Sequence, residues 1–330
     1  MSGTRTAGPS GATPGWVPAL DIGGTHVTAG MVDLVARQVH TTDTWRRPLS
    51  PEGSADEIVD AIVACALELG AGPGRHWAVA VPGPFDYEQG IALFHGVGKF
   101  EALYGLDLRA ALTSALPGPS SVTFVNDADA FLLGEHAAGA ALGHERAVGI
   151  TLGSGVGSCF LAGGVVVEDG PDVPPEGRMD LLTHNGQPLE DTVSRRAIRA
   201  AYAHATGASG GPQADVKEIA ERARAGDTDA QRVLEHAMGA LGLAIAPWLA
   251  RFQATVLVVG GSVTGAWDLL ARPLRNGIAQ AEPALALALG SASAASTSTS
   301  RLDVVRALLP LQAPLLGAAV GAEHTRKPGV

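Results

Sequence analysis

A glycine-rich turn between two strand-like segments occurs twice in this chain, and it limits the possible folds more than any other feature. The first case spans residues 17–33, with a Gly-Gly-Thr turn at residues 23–25. The second spans residues 147–167, with a Gly-Ser-Gly turn at residues 153–155. Glycine lets backbone N–H groups converge on an anion with no Cβ in the way. The repeated pattern predicts a duplicated α/β lobe with two phosphate-binding turns.

Other interpretations of such turns must be weighed. A dinucleotide-binding turn needs a helix after the glycines, with its N-terminus facing the pyrophosphate. Strand-like sequence follows both turns here, and no Walker-type Gly-x-x-x-x-Gly-Lys-Ser/Thr is present. A plain glycine-rich hairpin remains open for either segment taken alone.

A third glycine turn, Gly-Gly-Ser at residues 260–262, follows an apolar run at residues 254–259. Helix-like sequence continues from it at residues 266–272. Such a turn lets a flat ring system approach the backbone closely. Taken alone, such a turn is more often a tight strand-to-helix connection.

Asp127 ends a strand-like run, residues 122–126, and precedes a helix-like segment. A carboxylate at the end of an apolar strand is partly shielded from water, where it can accept a proton from an alcohol as a general base. Aspartate at such a place is also an ordinary helix N-cap. Both roles are open for the residue alone, and its position between the first two glycine turns favours the base.

Five segments together resemble the ROK family of sugar kinases, within the larger group that shares the actin, Hsp70 and hexokinase fold. They read Asp-Ile-Gly-Gly-Thr (21–25), Val-Pro-Gly-Pro (81–84), Asn-Asp-Ala-Asp-Ala (126–130), Gly-Ile-Thr-Leu-Gly-Ser-Gly-Val-Gly (149–157) and Val-Val-Gly-Gly-Ser (258–262). Their order and rough spacing are those of the family. The resemblance implies a two-lobed, ribonuclease H-like α/β fold with a nucleotide cleft between the lobes.

The resemblance also implies how the chain divides. We expect a small N-terminal α/β lobe at residues 16–125, joined by a C-terminal helix at about 313–325, and a larger lobe at residues 126–312. Residues 1–15 are rich in Gly, Ser, Thr and Pro and lack an apolar core, so a disordered tail is expected rather than a signal peptide. The expected compartment is the cytoplasm.

The activity that the resemblance implies is phosphoryl transfer from ATP·Mg²⁺ to a hydroxyl group of a polyol, with Asp127 as the general base. Asp21 would orient Mg²⁺ or its water shell; its alternative role is to cap its own turn. The ATP-binding candidates are Asp21, Gly23, Gly24, Thr25, Gly153, Ser154, Gly155, Gly260, Gly261 and Ser262. The substrate-binding candidates are Gly83, Asn126, Asp127, Glu176 and Glu190.

Residues 174–190 depart from the family pattern. Many members carry Gly-Glu-x-Gly-His and three cysteines that hold a structural zinc beside the sugar; here Arg178 replaces the histidine and the cysteines are missing. Tetrahedral zinc needs about four N or S ligands, and this segment offers only His184, so we expect no structural zinc. Glu190 keeps the family's acidic position, and Glu176 stands in for the displaced glutamate.

The first substrate loop departs as well. The family often shows Pro-Asn-Leu-x-x-Trp, whereas this chain has Phe-His-Gly-Val-Gly-Lys-Phe at residues 94–100. His95 or Lys99 can reach a ligand, although an exposed lysine is usually only solvated. Both departures fall on acceptor recognition and leave the nucleotide motifs intact. We therefore expect a cyclitol, such as a C7 sugar-like ring, rather than simply glucose; the alternatives are a glucokinase proper and a catalytically silent sugar-binding protein.

Composition bears on partners. The net charge is −10 without a dense Lys/Arg cluster, which argues against nucleic acid. ROK repressors carry a helix-turn-helix domain before the first phosphate turn, and only about fifteen residues precede it here. No apolar run looks long enough to cross a bilayer, so no membrane is expected. The expected partners are a polyol and ATP, and the resemblance suggests a homodimer.

Overall fold

The structure, a computed structural model, describes residues 15–208, 214–285 and 302–326. The tail expected at residues 1–15 therefore lies, except for residue 15, outside the described residues. The chain divides into two compact units, Met1–Ala138 with Leu311–Val330 and Gly139–Pro310, called the first and second unit below.

The first unit is built on a five-stranded mixed sheet. Its strands, in sheet order, are β3 (Gln38–Pro48), β2 (His26–Asp33), β1 (Trp16–Ile22), β4 (His76–Val81) and β7 (Ser121–Asn126). Strands β1, β2 and β3 pair antiparallel, while β1, β4 and β7 pair parallel. The short strands β5 (Phe85–Asp86) and β6 (Ile91–Ala92) form a separate hairpin. The helices are α1 (Ala55–Leu67), α2 (Leu108–Ala115), α3 (Asp127–Ala138) and α9 (Ala313–Arg326).

The second unit repeats this strand order. Its sheet contains β10 (Val165–Val166), β9 (Val156–Ala162), β8 (Arg146–Leu152), β13 (Val256–Gly260) and β14 (Asp303–Arg306). Strands β8 and β9 pair antiparallel, while β8, β13 and β14 pair parallel. A small hairpin, β11 (Thr183–His184) and β12 (Gln187–Pro188), precedes the helices. These are α4 (Glu190–Val193), α5 (Arg195–Ala205), α6 (Val216–Arg224), α7 (Thr228–Arg251) and α8 (Trp267–Ala281).

The predicted strand–turn–strand segments are confirmed, and the physical reason is burial on both sheet faces. Strand β4 is almost wholly buried and apolar, from Trp77 to Val81, as parallel strands covered on both sides require. Helix α1 begins with a capping box, because Ser54 accepts from the Glu57 N–H and Glu57 accepts from the Ser54 N–H. Each unit has its own hydrophobic core.

The boundary between the units lies after Ala138 rather than after residue 125, because α3 packs on α9 within the first unit. Two glycines allow the contact. A Cβ at Gly134 would overlap the backbone of Ala313, and a Cβ at Gly317 would overlap the backbone of Ala130. The small residues of α3 indicated close helix packing, but its partner lies far away in the sequence.

Helix α7 does have the length and apolar composition needed to cross a membrane, contrary to the expectation from the sequence. Half of its most apolar stretch is buried inside the protein, and its main contact is α8. The buried core helix of a folded domain satisfies the same criteria.

Candidate active site

The candidate residues of the first unit lie at the carboxyl ends of its three parallel strands. Asp21 lies in β1 opposite Ala80 of β4, and Val81, the last residue of β4, lies opposite Asn126 of β7. Gly83 follows β4, and Asp127 follows β7 directly. The parallel register therefore brings Asp21, Gly83, Asn126 and Asp127 to one edge of the sheet.

Asn126, not Asp127, caps helix α3. The Asn126 side-chain oxygen accepts from the N–H groups of Ala128 (2.9 Å) and Asp129 (3.3 Å), the pattern of an N-cap. Asp127 accepts only from its neighbour Ala128, at 2.9 Å, and forms no ion pair within the described residues. The alternative role left open for Asp127 is thus filled by the residue before it.

The carboxyl groups of Asp21 and Asp127 influence each other electrostatically. Burial, followed by the nearby charge of Asp127, raises the pKa of Asp21 to about 7, although Arg46 lowers it. Burial also raises the pKa of Asp127, while Lys99 and the Ala128 N–H lower it. Two adjacent carboxylates in a poorly solvated place cannot both ionise freely. Burial and the charge of Asp127 therefore let Asp21 keep its proton to near neutral pH.

Two cations act on this pair of acids. Arg46 is exposed on β3, in the same cross-strand row as Thr28 of β2 and Asp21 of β1. Lys99 lies on the predicted first substrate loop, residues 94–100, called the acceptor loop below. In sequence it lies between two fully buried side chains, Phe94 and Phe100, whose rings are 5.4 Å apart. Neither cation forms a hydrogen bond or an ion pair with another described residue. Both are therefore available to a ligand.

Glu101 fixes the shape of the acceptor loop. Its carboxylate accepts from three successive N–H groups, those of Gly96 (3.0 Å), Val97 (2.8 Å) and Gly98 (2.9 Å). Gly96 and Gly98 both have a positive φ, which glycine adopts without strain. The loop that carries His95 and Lys99 is consequently preorganised, a feature that the sequence did not reveal.

Tyr87 is a further residue that the sequence analysis missed. Its hydroxyl accepts from the Asn126 side-chain amide at 2.8 Å and donates to the Val81 carbonyl at 3.3 Å. A Cβ at Gly83 would lie 3.5 Å from the same hydroxyl. Tyr87 thereby joins Gly83 to Asn126, whose side-chain oxygen and one side-chain N–H are both bound within the protein.

The first glycine turn is held by backbone contacts. The Gly23 N–H donates to the His26 carbonyl at 2.8 Å, and the Leu49 N–H donates to the Thr25 carbonyl at 2.8 Å. The Thr25 hydroxyl lies 2.9 Å from Nδ1 of His26. The Gly24 N–H donates to no other residue that the structure describes, so it is available to a ligand oxygen.

The second and third glycine turns lie side by side in the second unit. Gly260, at the end of β13, pairs with Thr151 of β8. Gly261 has φ +89°, and a Cβ there would overlap the backbone of Leu152, which precedes the second turn. Buried Thr264 donates its hydroxyl to the Gly261 carbonyl at 2.8 Å. Only glycine allows this approach, so the packing of Gly261 on Leu152 is itself a reason for glycine here, and the adenosine role of residues 260–262 stays a prediction.

Glu190 contacts the second turn directly. Its Oε2 atom accepts from the Val156 N–H at 3.2 Å, and a Cβ at Gly155 would lie 2.9 Å from the same atom. The start of α5 also contacts the turn, because the Arg195 N–H donates to the Gly153 carbonyl at 2.9 Å. Glu190, a residue predicted to bind the acceptor, thus lies against a turn predicted to bind phosphate.

Glu176 occupies a strained and exposed position. Its φ is +57°, its side chain is 71% exposed, and it lies 3.5 Å from Arg178. Arg178 makes a two-pronged ion pair with Asp180, with distances of 2.7 and 3.2 Å. Ser158 anchors this segment, since its hydroxyl donates to the Gly177 carbonyl at 2.7 Å. The segment that departs from the family is therefore held by charge pairs and one hydroxyl.

Metal-binding groups are scarce. Residues 15–208, 214–285 and 302–326 hold no cluster of three or more His, Cys, Asp or Glu side chains able to bind a metal. The absence of a structural zinc stays a prediction. A surface hollow of about 330 Å³ in the second unit, lined partly by Tyr202, Glu218 and Arg222, contains none of the predicted site residues.

Comparisons with known proteins agree with this architecture. A model of the ROK family matches residues 17–320. A glucokinase from Thermotoga maritima is 28% identical over 281 residues, covering 78% of this chain and 86% of that protein. The crystal structure of a ROK hexokinase from Thermus thermophilus matches with a TM-score of 0.70 and 25% identity, over 95% of this chain and 100% of that chain. A ROK family glucokinase from Streptomyces griseus, in complex with glucose and AMPPNP, matches with a TM-score of 0.72 and 24% identity, over 94% of this chain and 100% of that chain.

These matches define the class first: the chain has the α/β fold of actin-like sugar kinases, with one five-stranded sheet in each unit. The family model covers most of the chain, so the chain belongs to the ROK family.

Proposed function

We propose that this protein transfers the terminal phosphoryl group of ATP to a hydroxyl group of a sugar or sugar-like cyclitol. The observation that carries the proposal is Asp127, a partly buried carboxylate with a raised pKa that is not needed as a helix cap. Its related proteins support the class of reaction, since they are named glucokinase and hexokinase.

Asp127 would accept the proton of the attacking hydroxyl. A raised pKa makes a carboxylate a stronger base, provided that it is still ionised at the working pH. In the ligand-free protein, the proton that Asp21 retains to about pH 7 keeps a second negative charge away from Asp127; a bound cation would replace that proton. In phosphoryl transfer, most of the rate comes from positioning and charge stabilisation, so this base would supply only part of the acceleration.

The glycine turns would hold the nucleotide. In the first unit, Gly23, Gly24 and Thr25 would bind phosphate oxygens; in the second, Gly153, Ser154 and Gly155 would do so. The N–H groups of Ser154 and Gly155 make no hydrogen bond with another described residue, which leaves them available. Gly260, Gly261 and Ser262 would face the adenosine, since they lie beside the second turn, where Gly260 pairs with Thr151.

Mg²⁺ fits the first unit. It prefers oxygen ligands, and the carboxyl groups of Asp21 and Asp127 supply oxygens at one sheet edge. Asp21 is the residue that would hold it, directly or through its water shell. When bound, Mg²⁺ would neutralise phosphate charge.

The acceptor is proposed to be a cyclitol or another ring that differs from glucose. Support comes from the two segments that would contact it: the loop at residues 94–100 presents Lys99 beside Asp127, and Arg178 holds Glu176 in place. Glu190, Gly83 and Asn126 complete the proposed acceptor contacts. Asn126 would help to shape the acceptor site from a fixed position, because its side-chain amide is bound to Tyr87 and to the start of α3.

An ADP-release assay over hexoses, amino sugars and cyclitols, with a reaction lacking acceptor, tests the proposal. We expect ADP release that depends on the acceptor and is fastest with a cyclitol or another compound that is not glucose. Glucose turning over best by a wide margin would establish the glucokinase alternative. ADP release independent of acceptor would show a hydrolase, and no ADP release with any acceptor would favour a silent sugar-binding protein.

A further inference from the structure

Glu190 is the one predicted acceptor-binding side chain that also touches a predicted phosphate turn. Its Oε2 atom accepts from the Val156 N–H at 3.2 Å. Val156 is the first residue of β9, opposite Leu152 of β8 and far from the two residues of β9 that pair with β10. The other oxygen of Glu190, Oε1, points further away, 3.8 Å from where a Cβ at Gly155 would lie. One carboxylate oxygen thus secures the turn, while the second remains to accept another donor.

Gly155 fits this contact closely. A Cβ there would lie 2.9 Å from Oε2, so a larger residue would displace the carboxylate from its place. Gly153 differs, since a Cβ there would meet nothing within 4 Å. The present position of the Glu190 carboxylate therefore depends on glycine at residue 155.

The segment that carries Glu190 is itself attached to the turn. The Ser194 N–H donates to the Glu190 carbonyl at 3.1 Å, and the next N–H, that of Arg195, donates to the Gly153 carbonyl at 2.9 Å. Ser194 is fully buried and caps α5. Helices α4 and α5 and the turn are consequently joined at both ends of the turn, at Gly153 and at Val156.

We propose that Glu190 is a positioning residue for the second glycine turn, and that it couples acceptor binding to nucleotide binding by contacting both. This inference rests on the proposed function. When a first ligand has already ordered a side chain, a second ligand that needs the same ordered side chain loses less conformational entropy on binding. An acceptor hydroxyl bound at Oε1 would restrict the motion of the Glu190 carboxylate. The ordered carboxylate would in turn keep the second glycine turn in the conformation that binds phosphate.

The test is calorimetric binding of AMPPNP with Mg²⁺ to the full chain, without acceptor, in three variants. In Glu190→Leu, the Val156 N–H loses its acceptor, so we expect AMPPNP affinity to fall about 5- to 20-fold. In Glu190→Gln, the amide oxygen can still accept from Val156, so affinity should stay within about twofold. Glu145→Leu is the matched control, because Glu145 lies against Gly163 at the other end of β9; it should bind as the wild type does.

A second readout needs no ligand. Amide hydrogen exchange across residues 153–157 should be faster in Glu190→Leu and unchanged in Glu190→Gln and Glu145→Leu. Should Glu190→Leu fold poorly, exchange elsewhere in the second unit would rise as well, and Glu190→Gln with a panel acceptor then decides. It should retain AMPPNP affinity yet lose the increase that the acceptor produces in the wild type.

The outcomes separate the two proposals. If the wild type binds no AMPPNP, both the proposed function and the role of Glu190 are overturned. If the wild type binds AMPPNP but Glu190→Leu binds it equally tightly with unchanged exchange, only the role of Glu190 is overturned.

Discussion

The two strand-flanked glycine turns occupy the same place in two similar sheets, yet they are held by different means. Each follows the central strand of a five-stranded sheet, β1 in the first unit and β8 in the second. Backbone groups hold the first turn, through His26 and Leu49. A carboxylate holds the second, through Glu190. The shared topology thus decides where a turn lies, and local residues decide what its shape depends on.

The two units also differ in the residue that stands two places before the turn. It is Asp21 in the first unit and Thr151 in the second. Only Asp21 has a carboxylate neighbour, Asp127, and a pKa raised to about 7. We therefore propose that the first unit supplies the proton chemistry and that the second offers neutral donors to the nucleotide.

The largest expected effect is the loss of Asp127. Asp127→Ala should lower kcat by about 10²- to 10⁴-fold, the usual contribution of a general base. Asp60→Asn is the control, because Asp60 is an exposed residue of α1 without a described partner. ADP release in the presence of the best acceptor measures both. Equal activity of Asp127→Ala and wild type would remove Asp127 from the mechanism.

Asp21→Asn should stabilise the ligand-free protein at high pH. The pKa of the Asp21 carboxyl group is near its ordinary value of 3.8 in the unfolded chain and is raised to about 7 in the folded protein. The folded state therefore binds more protons between these values, so wild-type stability falls as pH rises from about 4 to 7. Asparagine does not ionise, so the variant should gain about 1–2 kcal/mol over wild type at pH 8 and nothing at pH 4.

Urea unfolding at the two pH values measures this difference, with Asp60→Asn as the exposed control. A gain of the same size at both pH values would show that burial of an uncharged group, and not ionisation, is responsible. No gain at pH 8 would mean that Asp21 is not under electrostatic stress.

A smaller effect is expected from alanine in the second turn. Gly155→Ala should displace the Glu190 carboxylate and remove its bond to Val156, costing about 1 kcal/mol of local stability. Gly153→Ala, where a Cβ meets nothing, should leave the turn unchanged. Hydrogen exchange over residues 153–157 distinguishes them; similar exchange in both variants would contradict a turn held by its side-chain contact.

Lys99→Met should produce the smallest effect. The charge of Lys99 lowers the pKa of Asp127, so its removal should raise that pKa further. The acidic limb of the pH profile of kcat/KM should then move to higher pH by about half a unit. Lys217→Met, at an exposed position on α6, is the control. An unmoved limb would place Lys99 too far from Asp127 to matter.

Much of the fold follows from local sequence. Apolar runs next to glycines predicted β1, β2, β8, β9 and β13. The structure divides its units after Ala138 rather than after residue 125, because the contact between α3 and α9 joins distant parts of the chain. Burial periodicity carries no information about such a partner.

The site was predictable in its glycines and acids, since these residue types carry their own geometric or chemical signature. The supporting groups were not. Tyr87 holds Asn126, Glu101 clamps the loop at residues 96–98, and Arg46 reaches the row of Asp21 through two strand pairings. Each depends on a register or a loop shape that arises only on folding, and tyrosine, glutamate and arginine are common enough on surfaces to give no local signal.

The most direct test of the central claim is the identity of the phosphorylated product. Wild-type protein, ATP·Mg²⁺ and the best acceptor of the panel are followed by phosphorus-31 NMR. A phosphate monoester that accumulates in step with ADP, without inorganic phosphate, is the predicted result. Inorganic phosphate in place of the monoester would contradict transfer to a hydroxyl group.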